Sequence, residues 1–220
     1  MAQAHVASPH AQDDDPDAPE VRSGWFLAFL LLAATSVVAL WTLLAPRPVI
    51  APPPVAAALR PAPDAGALGP MVERTLASGQ RITVPERGVE GRLLAFIQDP
   101  DRPADKTTWF DFDRLTFETG SATLAPSSQD QLAAVAAILA TYPTVKLKIG
   151  GYTDNVGDAA FNQRLSDERS ANVRTALIRT GVAADRLEAE GYGDRFPVGD
   201  NTTPEGRAMN RRISMRVMEK

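Results

Sequence analysis

The 220-residue chain has no cysteine and only two histidines, His5 and His10. The lack of cysteine excludes disulfide bonds, thiolate metal sites, cysteine nucleophiles and a lipidated N-terminal cysteine. Because both histidines lie in a polar N-terminal segment, histidine-dependent catalysis is excluded from the folded part. The small net charge of −4 argues against a general nucleic-acid-binding protein. We therefore predict no metal, no cofactor and no nucleic-acid partner.

The N-terminal region divides into a polar tail and a long apolar run. Residues 1–22 are acidic and poor in large apolar side chains, which predicts a disordered tail. Residues 24–45 carry no charge, and a helix of that length spans a hydrocarbon core of ~30 Å. We therefore predict one transmembrane helix over residues 23–45. Trp25 and Trp41 lie near its ends, where interfacial aromatic residues are common.

Two other interpretations of this run are less favoured. A buried core helix is usually shorter. A cleaved signal peptide has a shorter apolar region and ends in small residues, whereas Pro-Arg-Pro follows here. The flanking charges do not decide the orientation of the helix, since Arg22 lies at one end and Arg47 at the other.

Two intermediate segments precede the main domain. Residues 46–70 are rich in proline and alanine, which is typical of a semi-extended linker. Residues 71–106 contain a short strand pattern at 80–84 and an amphipathic helix pattern at Val89–Gln98. We predict that residues 71–106 form an N-terminal extension that packs on the main domain.

From residue 107 to 220 the apolar periodicity alternates between two and 3.6 residues. The period of two predicts strands over residues 109–117, 145–149, 187–191 and 213–218. The longer period predicts a serine-capped helix that opens at 126–128, a long helix from about 159 to 180 that Gly181 ends, and a helical turn at 206–209. This order, βαβαββ, predicts an α/β sandwich with a mixed sheet and helices on one face.

Polar residues interrupt the apolar stripe of the long helix. Asn162 and Arg169 fall on the same side as Leu165, and a core-facing arginine needs an anionic partner. Asp154 lies in the turn that leads into this helix. Asp154 and Arg169 could form an internal ion pair, which geometry alone favours. Alternatively they hold an α-amino-acid head group, with Asp154 on its ammonium and Arg169 on its carboxylate.

Three runs of sequence resemble the signature of OmpA-like peptidoglycan-binding domains, and the match covers roughly residues 107–220. They are GYTDNVG at 151–157 with Asn162 and LSDERSA at 165–171, GYG at 191–193 with Pro197, and NT at 201–202 with EGRAMNRR at 205–212. The resemblance implies that Asp154 and Arg169, fifteen residues apart, hold the diaminopimelate side chain of the stem peptide. It implies supporting roles for Asn162, Arg211 and the loop at 117–120, which includes Thr119. Gly120 stands where relatives have asparagine, and Tyr152 where many have histidine.

The resemblance implies a non-catalytic protein that ties peptidoglycan to the inner membrane. The tail would then be cytoplasmic and the C-terminal domain periplasmic. A wall-anchoring subunit of a secretion apparatus or another envelope machine is the alternative. A flagellar stator is disfavoured because residues 24–45 contain no carboxylate, and a wall hydrolase because no catalytic carboxylate pair or nucleophile motif is evident. A homodimer and partners within an envelope complex both stay open.

Overall fold

A computed structural model describes residues 66–118 and 120–220. The predicted tail, the predicted transmembrane helix and most of the predicted linker fall at residues 1–65, outside the described residues, as does Thr119. Among the described helices, none combines the length and apolarity that a membrane span requires.

Ten regular elements follow one another along the described chain. In order they are β1 (Met71–Thr75), β2 (Arg81–Pro85), α1 (Val89–Gln98), β3 (Phe110–Asp111), α2 (Gln129–Thr141), β4 (Lys146–Gly151), α3 (Ala159–Arg179), β5 (Leu187–Gly191), α4 (Pro204–Asn210) and β6 (Ile213–Glu219).

The main sheet has four strands in the order β3, β6, β4, β5. Strands β4 and β5 are parallel and are connected through α3, whereas β6 lies between β3 and β4 and is antiparallel to both. Helix α3 packs on β4 and β5. The mixed α/β fold predicted from the periodicity is therefore confirmed. The stripe predicted for α2 is fully buried, as are the inward positions of the sheet: Leu132, Val135, Ile138, Leu139, Leu147, Ile149 and Met215.

A pair of glycines sets the distance between the sheet and α3. Gly151 and Gly191 are register partners on β4 and β5. A Cβ on Gly151 would lie 2.3 Å from the carbonyl oxygen of Ser166, and one on Gly191 would lie 2.2 Å from the amide nitrogen of Asp167. Both distances are far below van der Waals contact, so only glycine lets α3 approach the strands this closely.

The segment before the main sheet shares its hydrophobic core. Strands β1 and β2 form an antiparallel hairpin, and buried side chains of β2 and α1 belong to the same apolar cluster as α2 and the sheet. A polar contact adds to this packing: the buried Glu90 of α1 accepts hydrogen bonds from Arg114 and from Gln131 of α2. The sequence predicted α1 at its observed bounds but gave no sign of β1.

Two local predictions are wrong. The strand predicted over 109–117 is reduced to Phe110–Asp111, because the chain turns at Asp113 and Arg114. The polar groups of that turn are held by Gln131, whose Oε1 accepts from the Arg114 amide at 2.9 Å and whose Nε2 donates to Asp113 at 2.6 Å.

The serine cap predicted for α2 is also absent. Ser128 stands at the N-cap, but its side chain makes no capping hydrogen bond. Its hydroxyl instead accepts from the Thr116 amide and donates to the Thr116 carbonyl, each at 2.9 Å. Ser128 therefore fastens the preceding loop to the helix start.

Candidate functional site

Asp154 lies in the turn that follows β4, and it is 3% exposed. The turn is fixed from both sides: the Val156 amide donates to Asp154 Oδ1 at 3.1 Å, and the Thr153 amide donates to the Gly193 carbonyl at 2.9 Å. Oδ2 of Asp154 accepts from Arg211 Nη1 at 2.8 Å. Asp154 therefore forms its ion pair with Arg211, not with Arg169 as geometry alone had favoured.

Arg169 is fully buried on the sheet-facing side of α3. Its Nε donates to the Ser121 carbonyl at 3.0 Å, and its guanidinium lies 5.1 Å from the centre of the Phe117 ring. Burial, together with the nearby charge of Arg211, lowers the pKa of Arg169 to about 10, and Asp154 opposes part of this shift. Arg169 thus stays charged at neutral pH, within the fields of both Asp154 and Arg211.

Asn162 braces the turn that carries Asp154. It is 1% exposed, and its Nδ2 donates to the carbonyls of Asp154 at 3.3 Å and Val156 at 3.0 Å. These two bonds fix the orientation of the amide, because only the NH2 group can donate. The Oδ1 atom is buried and has no hydrogen-bond partner among the described residues. Asn162 therefore positions the turn and leaves one acceptor available inside the site.

Arg211 reaches the site from the end of α4. It is the C-cap residue of that helix, and its amide donates to the Arg207 carbonyl at 3.1 Å. The cap aims the side chain at Asp154, 57 residues earlier in the chain. The structure thus places four of the five predicted residues, Asp154, Asn162, Arg169 and Arg211, in one cluster. The fifth, Thr119, lies outside the described residues.

A cleft of about 300 Å³ shares the loop residue Ser121 with this cluster, although none of the four clustered side chains lines it. The loop residues Gly120, Ser121 and Ala122 form one wall, and α3 forms the other with Phe161, Arg164, Leu165 and Glu168. Because Arg169 donates to the carbonyl of Ser121, its guanidinium lies directly behind the loop wall.

Sequence reasoning missed one neighbour of Arg169, Ser121. Phe117 was included in the supporting loop at 117–120, but the sequence assigned no role to its ring, which lies beside the guanidinium. Ser121 contributes a backbone carbonyl, and a backbone acceptor has no signature in residue type. Thr153 was quoted within the motif without a role, and it is 2% exposed, with a buried hydroxyl that has no hydrogen-bond partner among the described residues.

Comparison with known proteins identifies the family. The profile described as "OmpA family" matches residues 116–211. The outer-membrane lipoprotein YfiB of Pseudomonas aeruginosa is 30% identical over 143 residues, which cover 64% of this chain and 84% of that protein. The chain belongs to the OmpA family.

Other relatives match over a shorter part. The probable lipoprotein YiaD of Escherichia coli is 42% identical over 101 residues, 46% of this chain and 46% of that protein. The peptidoglycan-binding protein ArfA of Mycobacterium tuberculosis is 39% identical over 103 residues, 47% of this chain and 32% of that protein. The chain thus spans less than half the length of either relative. Among solved structures, the cell wall anchor of the T6SS from Pseudomonas aeruginosa is 29% identical, with a TM-score of 0.46 over 59% of this chain and 96% of that one.

Proposed function

We propose that this chain binds peptidoglycan without cleaving it and holds the diaminopimelate of the stem peptide at Asp154 and Arg169. The observation that carries the proposal is the buried charge cluster at the end of β4, in which one carboxylate lies among two guanidiniums. The free end of a diaminopimelate side chain bears one ammonium and one carboxylate. Asp154 complements the ammonium, and the planar fork of Arg169 complements the carboxylate.

Burial strengthens both contacts. A guanidinium removed from water interacts more strongly with a ligand carboxylate than an exposed one does, because the local dielectric is low. The unpartnered Oδ1 of Asn162 can accept a hydrogen bond from the ligand ammonium next to Asp154. The arrangement therefore favours a zwitterionic head group over a simple anion or a simple amine.

A named relative supports peptidoglycan as the polymer that carries this head group. ArfA, 39% identical over 103 residues, carries the name peptidoglycan-binding protein. The aligned part amounts to 32% of ArfA, so the comparison supports the wall-binding role of the domain alone.

We propose further that residues 23–45 cross the inner membrane and residues 107–220 lie in the periplasm. The support is the uncharged run at 24–45, followed by a proline-rich segment. About 20 residues of polyproline-like chain reach roughly 60 Å, which lets a membrane-anchored domain meet the wall at a distance. A reporter enzyme fused after Lys220 should be active only in the periplasm. Activity in the cytoplasm would refute this topology.

Binding to purified sacculi tests the site. The full chain should co-sediment with sacculi of the diaminopimelate type but not with those of the lysine type, since lysine lacks the second carboxylate. Asp154→Ala and Arg169→Ala should each weaken binding at least tenfold, because a hydrogen bond to a charged group contributes about 1.5–3 kcal/mol. Arg179→Ala is the matched control, as it removes an exposed arginine from the last turn of the same helix.

Three outcomes would contradict the proposal at different points. If wild-type chain sediments with neither type of sacculus, peptidoglycan binding is wrong. Equal binding to both types would exclude recognition of the diaminopimelate carboxylate. If the wild type binds and both alanine variants bind equally well, the site is misassigned. Alanine at a buried ionic position can unfold the domain, so Asp154→Asn and Arg169→Lys, which keep the size or the charge of the side chain, are tested as well. Circular dichroism checks that each variant is folded.

A further inference from the structure

A second hollow opens on the face of the sheet that lies opposite α3. Neighbouring residues of β4 define the two faces: a Cβ on Gly151 would point at Ser166 of α3, whereas one on Gly150 would meet the rings of Trp109 and Tyr152 at 3.0 Å. The hollow measures about 540 Å³, and its lining includes Trp109, Tyr152, Tyr192 and Phe196. Sites for small molecules typically measure ~300–1,000 Å³.

The aromatic rings of the hollow hold one another in place. Tyr152 and Tyr192 are stacked, with centroids 5.1 Å apart and an interplanar angle of 22°. Trp109 meets both rings edge-on, at 6.2 and 6.1 Å. Phe196 meets Tyr192 edge-on at 5.4 Å. A surface built from interlocked rings loses little conformational entropy when it binds a ligand.

Apolar surface is left in water at the rim of the hollow. Phe196 and Val198 are each 55% exposed, and both line the hollow together with the buried Tyr152. The loop that carries them is held in place, because Arg212 donates to the Phe196 carbonyl at 3.2 Å and the Val198 amide donates to Asn210 Oδ1 at 2.7 Å. The exposed side chains thus project from a fixed backbone, as expected of a binding surface.

Polar groups of both signs border the rings. Asp111 accepts from the Ser214 hydroxyl at 2.6 Å and lies 3.8 Å from Arg212 Nε. Arg212 stacks over Tyr152, with 3.8 Å between the guanidinium carbon and the ring centre. The lining also includes Lys106, so the hollow offers charged donors as well as the Asp111 carboxylate, which is 40% exposed. A wholly apolar occupant would strip Asp111 of water without replacing its hydrogen bonds. A ring with apolar faces and hydroxyl edges matches both features.

We propose that this hollow binds a pyranose ring of the glycan strand, specifically an N-acetylhexosamine. The C–H face of the sugar packs on Trp109 and Tyr192, its acetamido methyl contacts Phe196, and its hydroxyls bond to Asp111. The choice of a wall glycan rests on the proposed function. The position of the hollow agrees with a wall glycan, because Arg211 pairs with Asp154 at the stem-peptide site and the next residue, Arg212, lines the hollow. One polymer of peptide and sugar can therefore occupy both sites.

Trp109 provides a direct readout. The chain has three tryptophans, so Trp25→Phe and Trp41→Phe leave Trp109 as the sole reporter. Adding the β-1,4-linked tetramer of N-acetylglucosamine, which carries no peptide, should change its emission in a saturable way. Phe196→Ala should weaken this binding roughly three- to tenfold. Met71→Ala is the matched control, because Met71 is also 55% exposed but lies in β1.

The same titration separates the two sites. Asp154→Ala should leave binding of the sugar tetramer unchanged while it weakens binding to sacculi at least tenfold. A Trp109 signal that does not saturate would overturn the proposal for the hollow, as would equal effects of Phe196→Ala and Met71→Ala. Equal affinity for maltotetraose would overturn the assignment to N-acetylhexosamine. If the chain binds sacculi but not the sugar tetramer, the proposal for the hollow is wrong and the stem-peptide site stands. If it binds the tetramer but not sacculi, the stem-peptide site is wrong and the proposal for the hollow stands.

Discussion

The close approach of α3 to the sheet predicts a large effect for Gly151→Ala. The new Cβ would lie 2.3 Å from the Ser166 carbonyl oxygen, which belongs to the helix backbone and cannot rotate away. Restoring an ordinary contact of 3.4 Å moves α3 outward by about 1 Å. A gap of that size forfeits a quarter to a half of the dispersion energy across an interface.

The magnitude follows from what α3 buries. Leu165, Val173 and Leu177 are at most 4% exposed, and each contributes ~1.5–3 kcal/mol on burial. Their weakened packing costs about 1–4 kcal/mol. Two hydrogen bonds that join α3 to the strand ends, from the Gly191 amide to Asp167 and from the Gly193 amide to Ser166, contribute ~0.5–1.5 kcal/mol each. We expect Gly151→Ala to lower the free energy of unfolding by about 3 kcal/mol.

Guanidinium unfolding of the full chain, followed by circular dichroism, measures this effect. Gly150→Ala is the control for the opposite face, because its Cβ would lie 3.0 Å from side-chain atoms of Trp109 and Tyr152 and would not meet the helix backbone. We expect that variant to lose about 1 kcal/mol. Gly151→Ala should also weaken sacculus binding, because α3 carries Arg169 away from Asp154. Equal unfolding midpoints for the two variants would refute the reasoning, since close helix approach would then not be the role of Gly151.

Two further predictions concern buried polar groups. Glu90→Ala should lower the free energy of unfolding by about 3 kcal/mol, because it removes the buried carboxylate that pairs with Arg114 and leaves Asp113 as the acceptor that remains for Gln131. Glu73→Ala is the control, because its ion pair with Arg81 is exposed, and it should lower the free energy of unfolding by at most ~1 kcal/mol. Thermal unfolding measures both variants, and a similar loss in Glu90→Ala and Glu73→Ala would contradict the argument. Burial raises the pKa of Tyr152 to about 12, which favours the neutral phenol in the folded state. The stability linked to this shift is fully present below pH ~10 and is lost as the pH rises towards 12, so the unfolding midpoint should fall more steeply over that range in the wild type than in Tyr152→Phe. If the unfolding midpoint falls equally steeply with pH in the wild type and in Tyr152→Phe, the pKa of the Tyr152 phenol is not raised in the folded state.

Elements with a long, uninterrupted periodicity were predicted well from the sequence. Helix α3 was predicted from 159 to 180 and is observed over Ala159–Arg179, followed by Gly181 at φ +101°. A glycine in the left-handed region is a strong stop signal. Strand β5 was also predicted at its observed bounds. In both cases the local pattern and the tertiary packing agree.

Elements held by distant partners were not predictable in this way. The alternation over residues 109–117 suggested one strand, but the spacing from Phe112 to Leu115 is three, and the polar turn between them is bound by Gln131. Strand β1 has no period-two apolar pattern, since Met71 and Val72 are adjacent, and it exists through pairing with β2. The ion-pair partner of Asp154 is 57 residues away, so Arg211 entered the prediction through the family resemblance alone.

The aromatic hollow was invisible in the sequence for the same reason. Trp109, Tyr152 and the pair Tyr192 and Phe196 come from three separate segments, and the sheet order brings them together. Tyr152 stood out as a departure from the histidine found in many relatives. In the structure its ring stacks on Tyr192 and lies beneath Arg212. A substitution that looked neutral for the stem-peptide site thus contributes to the opposite face.

The position of Arg169 supports the proposed binding site. Desolvation lowers the pKa of Arg169, and Arg211 opposes its charge further, so the isolated domain holds this guanidinium at a cost. An apolar side chain at that point of α3 would continue the stripe formed by Leu165 and Val173. A ligand carboxylate bound at the proposed site would favour the charged form of Arg169, as Asp154 does. The residue that violates the apolar pattern of α3 is therefore the one for which a bound anion supplies the physical reason.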